Sequence, residues 1–142
     1  MGDPLRAAGT GARYALAAVR LFNGAAALAA PRWLQARAGV DPDANPAAVY
    51  AWRLFGVRTV YLAGELVVTR GDHLADALRV APVIHASDAL SAAAAGRAGN
   101  LPGKSARMAT IISTVNFVFA VLAAVTAPRR RARGPRLGRR RR

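Results

Sequence analysis

The stretch Ala109-Thr110-Ile111-Ile112-Ser113-Thr114-Val115-Asn116-Phe117-Val118-Phe119-Ala120-Val121-Leu122-Ala123-Ala124-Val125-Thr126-Ala127 carries no charge. Lys104 and Arg107 precede it, and Pro128 and an arginine run follow it. As a helix, its nineteen residues would span about 28 Å, close to the roughly 30 Å hydrocarbon core of a bilayer. Soluble helices of that length normally show a charged face. The stretch therefore reads as a transmembrane helix, and it sets the fold class for the rest of the chain.

Three less apolar segments precede it. Residues 14–31 are apolar apart from Arg20 and Asn23. Residues 48–69 are rich in Val, Leu, Tyr and Phe but hold Arg53, Arg58 and Glu65. Residues 74–96 are Ala-rich and hold Arg79, His85 and Asp88. Each central charge costs about 2.5 to 3.5 kcal/mol on insertion scales, so these segments need partners. The connections carry turn chemistry: Pro31-Arg32-Trp33 reads as a helix stop with an interfacial aromatic. Asp41 to Pro46 (DPDANP) reads as a hinge suited to capping the next helix. Arg70-Gly71-Asp72 is a tight turn with Asp72 as N-cap, and Asn100-Leu101-Pro102-Gly103 is the last turn. Arg6 and Arg13 before an apolar run have the layout of a signal peptide. Arg20 interrupts that run and Pro31 would hinder cleavage, so the segment is read as a retained first helix.

The expected architecture is all-α: a four-helix transmembrane bundle over residues 1–127, with helices at about 14–31, 48–69, 74–96 and 108–127, followed by a disordered polybasic tail over 128–142. One domain fits 142 residues. The 35 alanines favour helix and close packing while contributing little hydrophobic free energy.

Charge suggests a nucleic-acid partner only until it is located. The net charge is +14, from 21 basic and 7 acidic residues, yet nine of the arginines lie beyond Pro128, which leaves +5 on residues 1–127. The tail has no aromatic residue to stack on bases. Its expected partner is an anionic lipid surface, contacted by Arg129, Arg130, Arg131 and Arg133, at about 1 kcal/mol per basic residue. By the positive-inside rule the tail places both ends of a four-span chain in the cytoplasm. Nucleic acid is not expected.

Intramembrane charges mark the place to look for function. Arg58 and Glu65, seven residues apart, lie about 20° from a common face. Arg53 points elsewhere, with Gly56 and Gly64, which makes this helix the expected centre of the bundle. His85 and Asp88 share one side of the third helix with Ala81, Ala92 and Ala95, beside Pro82, where a kink is expected. Arg20, Asn23, Ala27 and Pro31, and Ser113, Asn116, Ala120 and Ala124, form milder stripes on the first and last helices. The expected polar core is Arg53, Arg58, Glu65, His85 and Asp88, with Asp88 paired to one of the arginines and Glu65 to the other.

Absence of cysteine excludes disulfides, thiolate nucleophiles and Cys-ligated metals. Two histidines a span apart do not make a zinc site. There is no Gly-x-Ser-x-Gly elbow and no phosphate-cradling glycine loop. The reading is of a non-enzyme without metal or cofactor, which binds a lipid, a small molecule or a partner membrane protein, or a second copy of itself, through its polar core. Transport or proton relay through His85 and Asp88 is the second reading. A basic helical nucleic-acid binder is the third.

Three stretches, Arg20-Leu21-Phe22-Asn23-Gly24, Arg53-Leu54-Phe55-Gly56-Val57-Arg58 and His85-Ala86-Ser87-Asp88-Ala89-Leu90, resemble those of an uncharacterised domain-of-unknown-function family of small four-helix integral membrane proteins from high-GC bacteria. The resemblance covers residues 14–127. It implies a fold and a membrane location and no activity. Relatives often carry an acidic residue directly after the second arginine, where this chain has Thr59, so the resemblance makes Glu65 or Asp88 the substitute partner.

Overall fold

The structure, a computed structural model, describes residues 2–127, so the tail with Arg129, Arg130, Arg131 and Arg133 lies outside the described residues. The regular secondary structure among the described residues is helix alone, without strands: α1 (Asp3–Ala29), α2 (Pro31–Arg37), α3 (Ala47–Val68), α4 (Gly71–Arg97) and α5 (Gly103–Thr126).

Several boundaries differ from the sequence expectation. The first helix begins at Asp3 rather than near residue 14. Pro4 fits the first turn, where a missing N–H costs nothing, and Gly9 is tolerated because it is a contact point. A Cβ on Gly9 would lie 1.6 Å from Thr126 Oγ1, so the start of α1 packs on the end of α5. Pro31 does not simply stop a helix. It forces Ala30 out of the helical region (φ −136°, ψ 54°) and then opens the short α2. The hinge supplies no side-chain cap to α3, whose N-cap is Pro46. Asp72 is not the N-cap of α4 either; it lies in the first turn, and Arg70 is the extended cap residue. Gly71 takes the left-handed conformation (φ +59°) that so tight a reversal demands. The α4 helix continues unbroken through Pro82.

The four long helices alternate in direction. Gly24 meets Val60 and Gly56, and Leu28 meets Gly56, so residue numbers rise on α1 as they fall on α3. Gly96 near the end of α4 meets Ala106 near the start of α5. At the α1–α3 crossing the backbones nearly touch, since a Cβ on Gly56 would lie 2.9 Å from the Gly24 carbonyl oxygen. Small residues permit this approach, and the gain is dispersion along two closely packed helices.

The packing is unequal around the bundle. The α1 helix packs on both α3 and α5, and α5 packs on α4. By contrast α3 and α4 touch little, although only Thr69 and Arg70 separate them. This overturns the expectation that the helix carrying Arg53 and Arg58 is central. Its inward residues are Gly56, Thr59, Ala63 and Leu66, all that one neighbour requires, while Gly64 faces open space and Tyr50, Leu54, Val57, Tyr61 and Val68 are exposed. The α1 and α5 helices each pack on two long neighbours, whereas α3 packs closely on α1 alone.

Burial is inverted relative to a soluble domain. Nine of the thirteen buried hydrophobic residues are alanines, whereas Phe22, Val57, Val83, Leu90, Ile111, Val118 and Val125 are all more than half exposed. The described residues contain a single helix long and apolar enough to cross a membrane, α5, and 17% of its most apolar eighteen-residue window is buried in the protein. Ile111, Ile112, Val115, Val118 and Val125 face outward, while Ala120 and Ala123 face the core.

Candidate functional site

Each long helix buries one polar residue near its middle: Arg20 on α1, Thr59 on α3, His85 on α4 and Asn116 on α5. The helix register places Arg20, His85 and Asn116 at similar height, whereas the contacts of Gly24 and Leu28 with Gly56 set Thr59 beside Gly24, about one turn away. Gly9 against Thr126 and Gly96 against Ala106 bring Asn116 level with both Arg20 and His85. The result is a polar layer across a bundle whose other interior residues are mostly alanine and leucine.

Two members of the layer are joined directly. Arg20 donates from Nε (3.2 Å) and Nη2 (2.9 Å) to Nε2 of His85. Arginine offers only donors, so Nε2 holds a lone pair and the imidazole proton sits on Nδ1. That nitrogen faces Asp88 Oδ2 at 3.8 Å, one turn on. Arg58 and Asp88 both lie within Coulombic range of the Arg20–His85 pair, and Glu65 within range of Arg20. Buried Asn116 leaves Oδ1 without a hydrogen-bond partner among the described residues, so the layer retains one free acceptor.

The five residues expected to form the polar core have separate positions. His85 is buried in the layer. Asp88 is half-buried beside it, and Glu65 is half-buried on α3. Arg58 is exposed, near enough to act on the layer through its charge, and Arg53 is exposed and outside it. The expected pairs do not form: among the described residues no ion pair joins Asp88 or Glu65 to Arg53 or Arg58. The register explains Arg53. Leu28 is already opposite Gly56 and α1 ends at Ala29, so a turn earlier on α3 there is no α1 beside it.

Sequence reasoning passed over Arg20, Thr59 and Asn116 as core residues. Arg20 carried a usable signal, since it shares a helix side with Asn23, Ala27 and Pro31, and a charge on the small-residue side of a helix points toward neighbours. Thr59 had no such signal; the burial of its side chain follows from the α1–α3 contact.

Where α3 and α4 separate, a cleft of about 480 Å³ opens sideways, with Arg20 at its floor. Leu62, Val80 and Ile84 supply apolar wall, and Glu65, Thr69 and His73 supply polar groups toward the α3–α4 turn. The volume is within the range of about 300 to 1,000 Å³ for small-molecule sites. Among the described residues no cluster of three His, Asp or Glu side chains is placed to hold a metal.

At the opposite end of α1, Gln35 on α2 donates to the Asn45 carbonyl (2.8 Å), and Arg32 pairs with Asp43. These bonds fasten α2 to the hinge before α3. Trp33 stays exposed, with Arg37 over its ring at 5.3 Å.

Comparison with protein families, with curated proteins and with solved structures finds no match in any of the three.

Proposed function

We propose that the protein is a small multi-pass integral membrane protein of the bacterial plasma membrane, and that it binds a small amphiphilic molecule through the cleft between α3 and α4. The observation that carries the membrane reading is the unequal burial: mostly alanine inside, with Leu16, Leu66, Leu74, Leu78 and a few polar groups, and most large apolar side chains outside, on all four long helices. Exposed apolar surface of that extent is costly in water and costs nothing in lipid. Each long helix, at 22 to 27 residues, exceeds the roughly 20 needed to cross a bilayer, and the buried Arg20, Thr59 and His85 of α1, α3 and α4 can be carried across inside the bundle.

In this orientation the even number of spans puts both ends on one side, and the nine tail arginines make that side the cytoplasm. Exposed Trp33, with Arg32 and Arg37 around it, then rests on the outer interface as an aromatic anchor. The cleft faces the lipid laterally: an amphiphile can set its polar end among Glu65, Thr69 and His73 and its apolar part along Leu62 and Val80.

Membrane fractionation followed by alkaline carbonate extraction tests the spanning reading. Retention in the pellet is expected. Release into the supernatant would overturn it, and would favour a peripheral or soluble helical protein.

A further inference from the structure

A second cavity, of about 670 Å³, lies at the end of the bundle where α1 begins, α4 begins and α5 ends. Its chemistry differs from that of the α3–α4 cleft. Leu74, Leu78 and Val125 provide an apolar wall, whereas Arg6, Arg13 and the Thr10 hydroxyl provide the polar part, and no lining residue is acidic. The Arg13 guanidinium lies over the Tyr14 ring at 4.4 Å, and its Nε is buried with no hydrogen-bond partner. Among the described residues neither Arg6 nor Arg13 has a carboxylate within ion-pair distance.

Two arginines without a carboxylate partner, beside an apolar wall, make a positively charged site that is uncompensated on one side. An anion would complete it, and guanidinium is the side chain best matched to phosphate oxygens. The polybasic tail cannot serve, because it follows Ala127 at the cavity wall with nine more positive charges. Free phosphate would leave the apolar wall bare, whereas a phospholipid covers it with the first carbons of its chains.

We propose that this cavity binds the phosphate headgroup of one anionic phospholipid from the cytoplasmic leaflet, with Arg13 and Arg6 on the phosphate and the glycerol end of the acyl chains against Leu74 and Leu78. The proposal rests on the membrane reading above. It is separate from the α3–α4 cleft, and the arginines that carry it are in the helical body rather than in the tail.

The test titrates the purified full-length chain in detergent micelles with six-carbon phosphatidylglycerol, six-carbon phosphatidylcholine and inorganic phosphate, by calorimetry. Phosphatidylglycerol should bind saturably and at least tenfold more tightly than either of the others. Arg13→Gln should weaken it at least tenfold, and Arg13→Lys should restore part of the loss. Arg6→Gln, an exposed change that leaves the fold intact, should weaken it severalfold, and full-length protein with the nine tail arginines changed to glutamine should bind as before. Equal binding of phosphatidylcholine would overturn the proposal. So would equal binding of inorganic phosphate, which would mark a free-anion site, or a loss caused by the tail substitutions and not by Arg13→Gln. Retention after alkaline extraction combined with any of these results removes the lipid site alone; release by alkali removes the membrane reading with it.

Discussion

Arg20 and His85, sixty-five residues apart, are joined by two hydrogen bonds that converge on one nitrogen: Nε and Nη2 of the guanidinium both donate to Nε2 of the imidazole. The contact ties α1 to α4, which lie diagonally across the bundle and are otherwise linked through α5. It also fixes the imidazole tautomer, because the only proton position compatible with two donors on Nε2 is Nδ1.

That tautomer can be observed directly. In the full-length protein labelled with nitrogen-15 histidine, His85 should show a protonated Nδ1 and a bare, hydrogen-bonded Nε2 at neutral pH. A protonated Nε2 would mean that the Arg20 contact does not exist.

Breaking the pair from either side should be asymmetric. His85→Leu leaves a buried guanidinium without its acceptor and should cost about 3 to 5 kcal/mol. Arg20→Met leaves a neutral imidazole and should cost about 1 to 3 kcal/mol. The double variant should be more stable than the sum of the single effects predicts, by about 1 kcal/mol or more. Thermal unfolding in detergent measures all three, and strictly additive losses would show that the two residues are not coupled.

Two glycines of α3 should respond oppositely to the same change. A Cβ on Gly56 would lie 2.8 Å from the Leu28 side chain and 2.9 Å from the Gly24 carbonyl oxygen, so Gly56→Ala must push α1 and α3 apart, at about 1 to 3 kcal/mol. Gly64 faces nothing within 4 Å, and Gly64→Ala should stabilise by up to about 1 kcal/mol through helix propensity. Unfolding midpoints moving the same way for both would contradict the α1–α3 crossing.

The absence of cysteine makes the outer surface easy to map. Cysteines placed at Phe22, Val57 and Val118 should resist a water-soluble maleimide in sealed vesicles and react once detergent is added. Cysteines at the helix ends, as in Arg37→Cys and Arg97→Cys, should be accessible from water on the same face of the membrane. Rapid labelling of Val118→Cys in intact vesicles would show that the α5 face is in water.

Much of the helical layout was legible in the sequence, because it depends on neighbours close along the chain. The uncharged run from Ala109 to Ala127 announced an apolar helix, and the glycine and proline clusters around residues 41–46, 70–72 and 100–103 marked the reversals. Where the expectation slipped, at the start of α1 and at Pro31, short-range signals were present in both: Pro4 lies in the first turn of α1 and Pro31 opens α2.

The interior was another matter, and one repeated tripeptide shows why. Arg-Leu-Phe occurs at 20–22 and again at 53–55. Locally the two are the same: in each, the Leu and Phe project outward. Yet Arg20 is 3% exposed and bonded to His85, while Arg53 is exposed at the rim. By itself the sequence determined that both would be helical and that each would present a guanidinium on one side. Only the tertiary structure decided which guanidinium is enclosed, because enclosure requires flanking helices at the right height. The α1 helix has α3 and α5 on its sides and α4 across from it at residue 20, whereas at residue 53 α3 has already passed the end of α1.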